Sequence, residues 1–71
     1  MDIMTLSLGH RIRFLRENKG ISQKDFAAKC NVSPAAANKW ELNLSNPTKN
    51  NLLQIARVLG MTYEELTGER E

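Results

Sequence analysis

The sequence predicts an all-α fold, a compact bundle of five short helices forming one domain over residues 1–71. Three observations carry this. No segment alternates apolar and polar residues as a half-buried strand does. Punctuating residues recur about every ten positions, with Gly20, Asn31, Pro47 and Gly60 dividing the chain into short pieces. Each piece sets its apolar residues at helical spacing.

The first helix, 7–18, starts at Thr5 or Ser7, either of which can cap it, and stops before Gly20. Leu8, Ile12 and Leu15 form one apolar stripe. Arg16 borders that stripe, Phe14 lies off it, half exposed, and His10 belongs on the surface. The second helix, 22–30, opens at Ser22 with Asp25 three residues on, a weak form of the capping box, and Ile21 can pack back as a staple. Phe26, Ala27 and Cys30 make its inner face, and Asn31 suits the left-handed backbone of a tight exit.

The third helix, 33–41, is announced by Ser33-Pro34, a capping residue followed by proline at the first helical position. At about 100° per residue, Ala37, Trp40 and Glu41 share one face, while Ala35, Lys39 and Leu42 point away and Asn38 lies to one side. A polar loop, Asn43 to Pro47, follows. Thr48 caps the fourth helix, 48–59, with Leu52, Ile55, Ala56 and Leu59 inward and Gly60 ending it. Thr62 and Glu65 make a capping box for the fifth, 62–67, which contains Tyr63 and Leu66.

Composition narrows the function. A chain of 71 residues, 41% apolar and 25% charged, is one small globular domain that buries roughly 60% of its unfolded surface. The single cysteine, Cys30, excludes an internal disulfide and a Cys₂His₂ zinc site, and His10 has no second ligand near it, so neither metal nor cofactor is expected. No run approaches the ~18 apolar residues of a membrane span. The start, Met1-Asp2-Ile3-Met4, does not read as a secretory signal, and a reduced, cytoplasmic setting is the expectation.

No Gly-rich phosphate loop, histidine pair or nucleophile with a base occurs. Glu64 and Glu65 point about 100° apart on a helix and read as a cap plus a solvated acid. An enzyme is not expected. Charge is uneven: residues 1–61 hold nine bases and four acids, a local +5, whereas 62–71 hold Arg70 against four glutamates. Such a body suits a polyanion, or is simply a well-solvated surface.

Ser22-Gln23-Lys24-Asp25-Phe26-Ala27-Ala28-Lys29-Cys30-Asn31-Val32-Ser33, continuing to Asn38-Lys39-Trp40-Glu41, resembles the helix-turn-helix of the Cro/cI (Xre) family. Leu8 to Arg13 looks like that family's first helix, and Pro47 to Leu66 like its fourth and fifth. The likeness covers about 60 of the 71 residues. Within the family it is nearest to the N-terminal DNA-binding domains of lambdoid phage repressors, the lambda repressor-like fold. Two positions depart from the pattern: Asn31 where glycine is usual, and Ala37 where Ile or Val is usual.

The resemblance implies sequence-specific binding of double-stranded operator DNA by a transcriptional regulator of the phage or prophage repressor type, with the third helix in the major groove. Asn38 would then pair with adenine N6 and N7, and Lys39 would reach guanine or a phosphate. Ala35 would meet a thymine methyl, and Ser33 would bond either way. Gln23 matches the residue that bonds phosphate and braces the recognition helix. Lys24, Asn43, Ser45 and Lys49 would contact the backbone. Arg16 and Glu41 match a salt bridge between the first and third helices. A weak homodimer on DNA would use Leu44, Met61, Tyr63 and Leu66, apolar residues that could equally belong to the core. The rival expectation is an antitoxin-like or other protein-interaction module on the same fold.

Overall fold

The computed structural model describes residues 2–71, so Met1 of the opening segment lies outside it. Five α-helices follow one another: α1 Leu8–Asn18, α2 Gln23–Lys29, α3 Pro34–Glu41, α4 Lys49–Leu59 and α5 Tyr63–Thr67. No strand occurs among the described residues. Each helix begins one residue inside the range read from the sequence, because the first residue of that range is the cap and is not itself helical. Ser7, Ser22, Ser33, Thr48 and Thr62 all have extended backbone, and each side chain accepts a hydrogen bond from the backbone N–H three residues on. Removing any one costs about 1 kcal/mol. At α5 the box is complete, since Glu65 Oε1 also accepts from the Thr62 N–H at 2.9 Å. At α2 only the Ser22 half forms.

The helix exits share one solution. After α4, Gly60 turns left-handed at φ 72°, and the N–H groups of Gly60 and Met61 bond back to Arg57 and Ala56. After α2, Asn31 does the same at φ 59°, with Val32 bonding back to Ala27. After α3, Asn43 repeats it at φ 59°, with Leu44 bonding back to Lys39. Asparagine tolerates this conformation better than other side chains.

The core is assembled from every helix. Ile12, Phe26, Ile55 and Leu66 are its largest fully buried side chains, each contributing roughly 1.5–3 kcal/mol. Ala37 and Trp40 supply the part from α3. At Gly9, α1 passes close to the end of α3. A Cβ on Gly9 would run into the Trp40 carbonyl oxygen and come within 2.6 Å of Asn43 Oδ1. Only glycine fits there.

Three features depart from the sequence reading. A 3-10 turn, Ile3–Thr5, precedes α1 and is capped by Asp2. Arg11 is buried against carbonyls rather than an acid. Its guanidinium donates to the backbone oxygens of Ile3 at 3.1 Å, Leu6 at 2.9 Å and Leu66 at 2.7 Å, tying the N-terminal turn to the end of α5. Leu66, expected at a dimer contact, is instead a fully buried core residue. The Thr62 cap fixes the register of α5, and that register turns Leu66 inward.

Candidate nucleic-acid interface

The site is built from α1 outward. Arg16 Nε donates to Glu41 Oε2 at 2.7 Å and Nη2 to Oε1 at 3.1 Å, a two-pronged bridge between α1 and the end of α3. Both side chains are largely shielded, at 10% and 3% exposed. The third arm of the guanidinium donates to the Ile21 carbonyl at 2.8 Å, which also fixes the approach to α2. The hydrogen bond to Glu41 raises the Arg16 pKa, against the opposing effect of burial.

Glu41 has a second task. Its Oε1 accepts from the Gln23 side-chain amide at 3.3 Å, and the same amide nitrogen donates to Asn38 Oδ1 at 3.3 Å. A chain of contacts therefore runs Arg16–Glu41–Gln23–Asn38, from the buried interior to the surface of α3. It lines a groove of about 360 Å³ that Arg13 and Leu42 complete.

With Ala37, Trp40 and Glu41 held inside, the other side of α3 faces solvent. Ser33, Ala35, Asn38 and Lys39 are all exposed. The Ser33 oxygen is partly committed, since it accepts from the Ala36 N–H at 3.1 Å. Lys24, Ser45 and Lys49 are exposed near the ends of α2, the loop and α4.

Asn43, expected to be a backbone contact, has both ends of its amide engaged within the fold. Oδ1 accepts from the Gly9 N–H at 3.0 Å and Nδ2 donates to Ser7 Oγ at 2.9 Å, so it braces the start of α1. The left-handed backbone at Asn43 aims the amide at α1. Arg13 is a residue that sequence reasoning misses. It borders the groove and pairs loosely with Glu17 at 3.6 Å, with more than half its side chain in solvent. Its cue is its place three residues before Arg16 on the same helix. Of the expected dimer residues, Leu44 is 70% exposed, Met61 and Tyr63 are half-buried, and Met61 also packs on the core.

Among the described residues no cluster of His, Cys, Asp and Glu could hold a metal ion. No helix among them is long and apolar enough to cross a membrane.

A helix-turn-helix family model matches residues 12–66. The chain belongs to this family, of the Cro/cI type. It is similar to the HTH-type transcriptional regulator DicA of Escherichia coli (strain K12), 34% identical over 59 residues, which are 83% of this chain and 44% of DicA. The domain therefore spans less than half the length of that regulator. Among solved structures, it superposes on the P22 c2 repressor in complex with a synthetic operator, with TM-score 0.78 and 30% identity over 83% of this chain and 89% of that one. It is equally similar to SinR, a master regulator for biofilm formation, in complex with DNA: TM-score 0.78 and 31% identity over 84% and 97%.

Proposed function

We propose that this domain binds double-stranded DNA sequence-specifically and acts as a transcriptional regulator, of the repressor type, in the cytoplasm or nucleoid. The observation that carries this is the outer face of α3. Its side chains are turned to solvent, while its inner face is fixed by Trp40, Ala37 and the buried Arg16–Glu41 bridge. Support comes from two relatives of matching fold whose structures hold operator DNA or DNA.

In this reading α3 lies in the major groove. Asn38 and Lys39 hydrogen-bond to base edges, Ala35 offers its methyl to thymine, and the Ser33 hydroxyl donates. The exposed Lys24, Lys49 and Arg13 meet flanking phosphates, and the N–H groups at the start of α2 add a favourable helix terminus. Ser45 adds a hydroxyl contact. The local +5 over residues 1–61 favours the approach of DNA to this body. Two copies would read two half-sites about 34 Å apart, meeting through Leu44, Met61 and Tyr63. No catalytic role is assigned to any residue.

The test is a salt titration of binding to a pool of random duplexes, with the retained DNA sequenced. The expected result is a short symmetric motif whose affinity falls steeply with salt. Binding without an enriched motif would remove the base-reading role of α3. No binding at low salt would replace DNA with a protein partner.

A further inference from the structure

The hydrogen-bond polarity of Asn38 is set from inside the protein. Glu41 is a carboxylate and only accepts, so the end of the Gln23 amide that faces it must be the NH₂ group. That same NH₂ faces Asn38, so the end of the Asn38 amide turned toward it must be the oxygen. The opposite arrangement would set two NH₂ groups against each other at 3.3 Å. Glu41 cannot reverse its part, because the Arg16 guanidinium engages both of its oxygens. The polarity therefore passes from a buried ion pair, through Gln23, to an exposed side chain.

We infer that Gln23 is a positioning residue that holds Asn38 with its NH₂ outward, so that Asn38 selects a base edge made of acceptors, guanine N7 and O6, over adenine. This rests on the DNA-reading role of α3 and specifies what it reads. Adenine offers one acceptor, N7, beside a donor, N6. The adenine pairing expected from residue type alone needs the Asn38 oxygen in the plane of the base, and that oxygen is turned toward Gln23. The Gln23 amide nitrogen, engaged by both Glu41 and Asn38, has no hydrogen left for the phosphate contact expected of it.

The experiment is selection from random duplexes with four proteins: wild type, Asn38→Ala, Gln23→Ala and Gln23→Glu. The base pair whose preference vanishes in Asn38→Ala is the one Asn38 reads. At that position the wild type is expected to favour guanine over adenine by about five-fold or more. Gln23→Ala frees the amide, and the preference narrows to near equality. Gln23→Glu sets a carboxylate beside Glu41, which repels it toward Asn38; there it can only accept, which reverses the Asn38 amide and turns its oxygen outward. The preference then moves to bases bearing an amino group, adenine or cytosine. Gln23 is half-buried, so cooperative melting of each variant confirms the fold before selection.

A merely structural role for Gln23 would lower affinity for all sequences alike. A wild-type preference for adenine at the Asn38 position overturns the inference, as does an unchanged preference in both Gln23 variants; either result leaves DNA reading by α3 intact. A wild type that enriches no sequence overturns the DNA reading itself, and this inference with it.

Discussion

Arg11 and Arg16 lie five residues apart on α1, and both are buried, yet the fold neutralises them differently. Arg16 meets a carboxylate, Glu41, and joins α1 to the end of α3. Arg11 meets three backbone carbonyls and joins the N-terminal turn to the end of α5. The first arrangement balances charge with charge, and its failure strands an ion in the interior. The second spreads one charge over neutral dipoles, and its failure strands only carbonyls. The two ends of the molecule therefore differ in what they tolerate. The end carrying α3 is held by a pair in which neither partner can be lost singly.

The largest expected effect follows from breaking that pair. Glu41→Ala leaves Arg16 buried and uncompensated, at a cost of about 3–5 kcal/mol. In a domain of this size that is a large share of the stability, so the melting temperature followed by circular dichroism should fall by about 15 °C or more. Replacing both partners, Arg16→Met with Glu41→Leu, should restore most of the stability in the same thermal melt. A single variant melting within a degree of wild type would erase the distinction between the two arginines.

Arg11→Ala should cost less, about 2 kcal/mol, because only carbonyls lose their donor. Amide exchange should show the damage confined to Ile3–Leu6 and the end of α5, with α3 protection unchanged. Gly9→Ala belongs beside it, at about 1–3 kcal/mol, because α1 has to move away from a backbone atom, the Trp40 carbonyl, and from Asn43. Its signature is a lowered melting temperature, together with faster hydrogen exchange at the residue 9 amide once Asn43 Oδ1 no longer accepts from it.

Cys30 provides a third way to bury a titratable group: it keeps its proton. Burial pushes its thiol from the ordinary 9.0 up to about 11. The folded state therefore holds the proton more tightly than the unfolded chain. This adds no pH dependence at neutral pH, and stability falls as pH rises from about 9 through about 11. Denaturant melts at pH 8 and pH 10 should differ in that direction, and Cys30→Ala should flatten the difference. At pH 8 a thiol reagent should label the folded domain far more slowly than the unfolded one.

The two arginines also mark how far the sequence can be read. The five helices are legible because each carries a capping residue and a regular apolar stripe. Arg16 and Glu41 are each legible as a charged side chain bordering an apolar stripe, while their pairing is what the family resemblance implies. Arg11 is not, because its partners are backbone carbonyls, which every residue possesses and no sequence pattern marks. Leu66 misleads for a related reason: an apolar residue on a five-residue helix suits the core and an interface equally until the cap fixes its register. Asn43 is expected at DNA from the family resemblance, and what no pattern marks is that its amide also bonds Gly9 and Ser7 at the start of α1. The outer face of α3 is legible by wheel arithmetic, but the polarity of Asn38 needs the three-dimensional contact with Gln23.

The most direct test of the account is an NMR titration of the ¹⁵N-labelled domain with a duplex at low salt. Shift changes should centre on residues 33–39 of α3 and its capping turn, with smaller ones at Gln23, Lys24 and Lys49 and at the dimer residues Leu44, Met61 and Tyr63, while the Arg11 cluster stays still. Changes centred instead on the opposite side of α1, where Leu6, His10 and Phe14 line a second groove, or the absence of any, would contradict it.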